Sequence, residues 1–342
     1  MVKMKRGVFL FLIVCCIGIL GFSITLTILQ NGVTLVKEKI ALQKGENWIE
    51  LVTQPEPPMI FTSPHIQAVI KDNKMAMLMT PSATLTRIVY TSRAFDWKMY
   101  YMVELTGSLK GSITLYSPLD IEANVVVGAG EFGSFTGELR NSGLKYAATE
   151  MGVQRVPPVH VETARFYELG RLHLKNGWNT IVLLESEVAW KKKALFAPGG
   201  DTRDENLVAV AYCEKAPLDL PGGIAYIFDE GKFAGFALIS NMAKNQKIEI
   251  EYGKMYDLIG SRTTVEDRYE SKEYRVRTVS IEIRNLSSTP RLVEVLERLP
   301  WDWKMVKTEK EYTVVDARTI KYHFEVKGNG EVRFRYTIRY RR

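Results

Sequence analysis

The sequence predicts an all-β protein of several domains, and three observations carry that prediction. Apolar and polar residues alternate with a period of two through most of the chain after residue 23. Turn residues punctuate the alternation at short intervals, and no long amphipathic helical pattern follows the first apolar run. Aromatic residues are plentiful, with 16 Tyr and 14 Phe in 342 residues, as a pleated, half-buried surface favours.

Residues 1–23 read as a signal peptide or membrane anchor. Lys3, Lys5 and Arg6 precede an uncharged apolar run from Gly7 to Phe22. Gly21 and Ser23 supply the small residues a signal peptidase needs, which would make Ile24 the first mature residue. If the segment is not cleaved, residues 7–22 hold the membrane and Ser23–Leu29 can extend the span. Both readings leave the basic residues cytoplasmic and the bulk of the chain extracytoplasmic. Ile13 and Val14 before Cys15 exclude a lipobox. Arg6-Gly7 ahead of the run loosely matches a type IV pilin leader, in which cleavage after Gly7 keeps the helix for filament assembly.

Residues 24–95 form an N-terminal β region. Ile24, Leu26 and Ile28 alternate with threonines, Asn31-Gly32 turns the chain into Val33–Leu42, and Lys44-Gly45-Glu46 turns it again toward Trp48, Ile49 and Leu51. Pro55, Pro57 and Pro58 interrupt the sheet before Met75–Met79 and Leu85–Tyr90. A central β region spans 96–260, with Trp97, Met99, Tyr101, Val103 and Leu105 on one face of its first strand. A glycine-containing stretch near 128–156 reads as a loop insertion. Further strands are expected at 166–174, 180–185, 207–213, 224–228, 233–239 and 248–252, and no repeat of fixed period emerges. Residues 261–342 alternate most regularly: Val279, Ile281 and Ile283, then Ile320, Tyr322, Phe324 and Val326, then Val332, Phe334, Tyr336, Ile338 and Tyr340, with Gly328-Asn329-Gly330 as a turn. Short strands with one apolar face and frequent turns predict a β-sandwich of immunoglobulin-like type here.

Charge and cysteine usage narrow the partners. The net charge is +7, but no nucleic-acid-reading motif accompanies it, so nucleic acid is not expected. Cys15 and Cys16 lie in the apolar run and Cys213 stands alone, which leaves no intramolecular disulfide for the rest of the chain.

The segments IEIRNLSSTPRLVEVLERLPWDWKMVK and DARTIKYHFEVKGNGEVRFRYTIRY resemble the C-terminal end of the domain-of-unknown-function 4139 family. TLTILQNGVTLVKEKIALQKGENWIELV is similar to that family's opening hairpin. SRAFDWKMYYMVEL, FYELGRLHLKNGWNTIVLLES and LPGGIAYIFDEGKFAGFALI resemble its later strands, in order. The family is partly similar to mucoidy-inhibitor A proteins, whose coiled-coil insertion this chain lacks. The resemblance implies a β-sandwich architecture and commonly an exported location, and it transfers no catalytic residue.

No motif supplies catalytic chemistry. His65, His160, His173 and His323 are widely separated, zinc spacings are absent, and neither a G-x-S-x-G elbow nor a phosphate-cradling glycine loop is present. The chain is therefore expected not to be an enzyme and to need no cofactor, with Ca²⁺ the one ion to consider. Asp201, Asp204 and Glu205 in PGGDTRDEN are its candidate ligands, against a solvated loop containing Arg203. Asn285-Leu286-Ser287 is a glycosylation sequon in an expected turn. Arg333, Arg335, Arg339 and Arg341, followed by Arg342, form a basic strand face that suits an anionic glycan or head group, or that protects a sheet edge. Trp301 and Trp303 suit a core or a sugar platform on one strand face.

The expected function is that of an exported cell-surface or envelope-associated structural and interaction protein, with envelope proteins or glycans as partners. A secreted envelope-polymer hydrolase and a pilin-like filament subunit held by its N-terminal helix are the alternatives.

Overall fold

The computed structural model describes residues 23–130, 159–161 and 164–341. Among these the chain is all β, with 24 strands and no helix. The apolar run of 7–22, the expected cleavage signal up to residue 22 and the part of the expected loop from 131 to 156 lie outside the described residues. Gly128–Gly130, expected in that loop, instead complete a strand. Ser23–Leu29 does not extend a membrane helix, because Ile24–Leu29 is a strand hydrogen-bonded on both sides.

The chain divides into two compact units. The first comprises residues up to Met99 with Ser112–Leu183, and the second comprises Tyr100–Gly111 with Leu184–Arg342. This differs from the expected split at 95/96 and 260/261. Neighbours far apart in sequence complete both units, and residues 260 and 261 lie in the middle of one continuous strand.

In the first unit the strands are β1 (Ile24–Leu29), β2 (Thr34–Leu42), β3 (Gly45–Glu50), β4 (Phe61–Ser63), β5 (Gln67–Asp72), β6 (Met75–Thr80) and β7 (Thr84–Ser92). β8 (Asp96–Glu104), β9 (Ser108–Ser117), β10 (Ile121–Gly130), β11 (Val159–Val161), β12 (Ala164–Leu174) and β13 (Gly177–Glu187) follow, and β8, β9 and β13 carry the unit boundaries. A seven-stranded sheet has the order β11-β12-β10-β1-β2-β7-β4, and a three-stranded sheet has the order β3-β6-β5. The alternation read from sequence sets the faces: Leu26, Ile28, Val36, Ile40, Val125 and Val127 are buried.

The same turn is built twice in this unit. Asn47 accepts from Gln43 N and donates back to Gln43 O, both at 2.9 Å, and Asn179 clasps Lys175 in the same way at 3.0 and 2.8 Å. Both turns read Leu-x-x-Gly-x-Asn, and the glycines, Gly45 and Gly177, need positive φ (100° and 107°).

In the second unit the strands are β14 (Lys191–Phe196), β15 (Thr202–Cys213), β16 (Gly223–Asp229), β17 (Lys232–Ile239), β18 (Ile248–Tyr269), β19 (Tyr274–Asn285), β20 (Arg291–Arg298), β21 (Lys304–Thr308), β22 (Thr313–Asp316), β23 (Thr319–Val326) and β24 (Glu331–Arg341). A nine-stranded sheet has the order β21-β24-β19-β18-β15-β14-β20-β23-β22. Its two ends come face to face: the Tyr322 ring on β23 lies 4.7 Å from that of Phe334 on β24. Val279, Ile281, Ile283, Val293, Val295, Ile320, Tyr336 and Ile338 fill the core between these layers. β8, β16 and β17 lie side by side in a separate sheet, whose full order is β13-β9-β8-β16-β17.

β18 extends through 22 residues where the sequence suggested only 248–252. Its pairing with β15 slips at three places, and each slip breaks the period-two pattern on which the sequence reading relies.

Candidate interaction surface

The buried charged side chains in the nine-stranded sheet, Lys193, Arg262, Glu294 and Glu297, are answered by protein partners. Lys193 Nζ lies 2.6 Å from Glu249 Oε1 and 2.5 Å from Glu294 Oε2, and it is buried on β14. Burial works to lower its pKa, but the hydrogen bonds and charges of Glu249 and Glu294 outweigh burial and raise it. Burial likewise works to raise Glu294, and Lys193 holds it low. Lys321 and His323 lie 3.4 and 3.6 Å from the other Glu294 oxygen. A second network joins β18, β20 and β24. Arg262 Nε meets both Glu297 oxygens at 3.1 and 3.2 Å, and the Tyr336 hydroxyl donates to the same carboxylate. Burial dominates at Glu297 and pushes its pKa up despite Arg262. These clusters tie strands together.

The expected calcium ligands do not converge on one point. Asp201 accepts from Arg262 Nη1 at 2.6 Å and from Thr264 N and Oγ1 at 2.9 Å each. Asp204, at positive φ on a bulge, pairs with Arg284, while Glu205 lies 3.9 Å from Lys254. Among the described residues no three His, Cys, Asp or Glu side chains gather as metal ligands. His65, His173 and His323 are exposed at separate places. The sequon asparagine is also not as expected. Asn285 is 1% exposed, and its Nδ2 donates to the carbonyls of Thr289, Val326 and Lys327, so the folded turn has no room for a glycan on that nitrogen.

The basic face is partly neutralised. Arg333 pairs with Glu282 and Arg339 pairs with Glu270, while Arg335 and Arg341 are exposed. Their strand, β24, pairs with β19 along its length and with β21 only over Tyr336–Arg339. Trp301 and Trp303 flank a turn at Asp302 (φ 52°), not a strand. The Trp303 ring packs toward Tyr312, and the exposed Trp301 carries the Arg318 guanidinium 4.8 Å above its ring.

The feature the sequence reading missed is an apolar sheet face open to solvent. β16 pairs with β8 in parallel and with β17 antiparallel, which sets three cross-strand rows on one face. These rows are Met102–Tyr226–Phe236, Tyr100–Ile224–Leu238 and Glu104–Phe228–Phe233. Phe233, Phe236 and Leu238 are 60%, 70% and 82% exposed, and Met102 and Tyr226 are also exposed. Tyr100 stacks on Tyr226 at 6.3 Å, and Phe228 meets Phe233 edge-on at 5.8 Å, so the rings are held in place. Tyr101, Val103, Ala225 and Ile227 fill the opposite, buried face. At about 150–250 Å² per large aromatic side chain, the open face presents roughly 500 Å², a size at which exposed patches mark binding sites. β17 is also the terminal strand of its sheet, so the patch reaches the sheet edge.

No protein-family model matches the chain, and no curated protein matches it.

Proposed function

We propose that the chain is a structural and interaction protein working outside the cytoplasm, and that it holds a protein partner on the open face of β8, β16 and β17. The observation that carries this reading is the solvent-facing row Met102–Tyr226–Phe236, with Leu238 and Phe233 beside it. An interface that covers this face needs about 1,000 Å² in total, which two patches of this size supply. Rigid aromatic anchors are the residues that dominate such contacts.

The export half of the reading rests on the basic residues 3–6 and the apolar run 7–22, with cleavage before Ile24 or retention as an anchor. An immunoglobulin-like arrangement of the C-terminal strands, and kinship with the domain-of-unknown-function 4139 family, belong to the same proposal. The two-layer core around Tyr322 and Phe334 supports the first, and the ordered motifs support the second.

The test is capture from isolated envelopes with the native chain and with F236D/L238D. The account expects a discrete protein partner for the native chain, lost in the variant while circular dichroism and melting stay unchanged. Equal capture by both chains would overturn it. Mass spectrometry of the native N-terminus tests the other half: a start at Ile24 or an intact Met1 agrees with export, whereas recovery in soluble cytoplasm contradicts it.

A further inference from the structure

The three-stranded sheet of the first unit has an outer face of unusual chemistry. A sheet with one buried face ordinarily turns polar residues to water. Here the central strand β6 buries Ala76, Leu78 and Thr80 and turns Met75, Met77 and Met79 outward. Three of the chain's 12 methionines thus stand on one face within five residues. Trp48 on β3 is directly opposite Met77, and Glu46 is directly opposite Met79. The Trp48 indole Nε1 donates to Glu46, so the ring is drawn along the strand from the Met77 row toward the Met79 row. Glu50 and Asp72 face Met75 from the two sides. Trp48 and Met79 are exposed, so the face is accessible.

Thioether sulfur is a soft, neutral ligand that suits Cu(I) and not hard cations. Outward side chains two residues apart on a strand are about 6.6 Å apart, and the unbranched methionine side chain has three rotatable bonds with which to close that gap. An electron-rich indole beside the pair stabilises a bound cation through its ring face. The carboxylates of Glu46, Glu50 and Asp72 add a negative field that no neutral docking surface needs.

We propose that Met77 and Met79 form a Cu(I) site on the outer face of β3-β6-β5, with Trp48 against the bound ion and Glu46 fixing the indole. Met75 lies one step further along the same face and serves as the alternative partner of Met77. No change of oxidation state is involved: the ion binds and leaves as Cu(I).

The test uses the full-length chain in detergent, with Cys15, Cys16 and Cys213 replaced by Ala to remove competing thiolates. Cu(I) is supplied anaerobically with a chromophoric Cu(I) chelator. The chain should withdraw one equivalent and lose tryptophan fluorescence. M77L/M79L keeps the apolar area and the fold, since Leu and Met exchange at small cost. It should weaken withdrawal at least tenfold, while M102L at the other exposed face changes nothing. W48F should retain the ion and lose most of the quenching. Failure of the cysteine-free chain to withdraw copper, or equal withdrawal by M77L/M79L, would overturn the proposal, as would Zn²⁺ binding as tight as Cu(I). Should the cysteine-free chain fold poorly, methyl-labelled methionine spectra of the unmodified chain titrated with Ag(I) decide the matter. Shifts confined to Met75, Met77 and Met79 support the site, and shifts elsewhere or none refute it.

Discussion

Replacing Arg262 by Met should be among the most destabilising single changes in the second unit, and the cost should depend on pH. Glu297 is 1% exposed, and both its oxygens are matched by Arg262 Nε at 3.1 and 3.2 Å, with the Tyr336 hydroxyl as a further donor. Without the guanidinium the carboxylate keeps a single neutral donor in a buried site, which costs about 3–5 kcal/mol. Asp201 loses the same cation but is half exposed and keeps both Thr264 bonds, so its share is small. Burial already raises the Glu297 pKa above its ordinary 4.5 in the native network, and loss of Arg262 raises it further. The folded variant therefore binds the proton more tightly than the unfolded chain. The penalty is absent below the unfolded pKa and grows as pH rises toward the folded one. Equilibrium urea unfolding at pH 5 and pH 8, followed by circular dichroism, should show a larger R262M deficit at pH 8. R262M/E297M/Y336F, which replaces the three buried polar side chains of the cluster, should recover most of the loss. A deficit below about 1 kcal/mol, or one equal at the two pH values, would refute the reasoning.

Glu38→Gln should stabilise the first unit by about 1 kcal/mol near pH 8 and by less near pH 5. The buried Glu38 Oε1 accepts from Tyr90 Oη at 2.6 Å and Val52 N at 3.2 Å, bonds the amide oxygen can keep, and burial is the main cause that raises the Glu38 pKa. Urea midpoints for the two chains check this, and an unchanged gap across pH contradicts it. Gly260→Ala should cost about 1–3 kcal/mol, because its Cβ would sit 2.7 Å from two ring atoms of the buried Phe196. Thermal melting reads that loss. Asn285→Ala should cost about 1–3 kcal/mol by removing the buried amide's hydrogen bonds to the carbonyls of Thr289, Val326 and Lys327. Intact mass after secretion from a glycosylating host should show no glycan at Asn285 in the native chain.

The regular alternation made much of the fold legible. The inward faces of β8 and β24 are the ones the period-two pattern predicts, Trp97 through Leu105 and Phe334 through Tyr340. The turns at Asn31-Gly32, Asn176-Gly177 and Gly328-Asn329-Gly330 were equally readable, because only a few residue types accept those conformations, although only the first closes a hairpin between paired strands. Long-range polar partners were not legible. Asp201 and Arg262 are 61 residues apart, and nothing local distinguishes a carboxylate bound for an ion pair from one bound for a metal. Glu38 and Glu297 did carry a signal, since each occupies an inward position in an alternating strand, and a charge on an inward face announces a buried partner. The open face of β16 and β17 was missed for the opposite reason. IAYIF and FAGFALI are apolar on both faces, and such runs read as strands buried on both sides. Nothing local in these runs marks which face stays open; packing leaves open the face that carries Phe236 and Leu238.

The most direct measurement is site-specific photo-crosslinking in cells that express the chain natively, with benzoylphenylalanine placed at Phe236. The account predicts a discrete adduct with an extracytoplasmic protein from position 236 and none from Glu325, an exposed position on β23, which pairs with β20 and β22. Absence of any adduct at 236, or an equal adduct at 325, would contradict the claim that the β8, β16 and β17 face holds the partner.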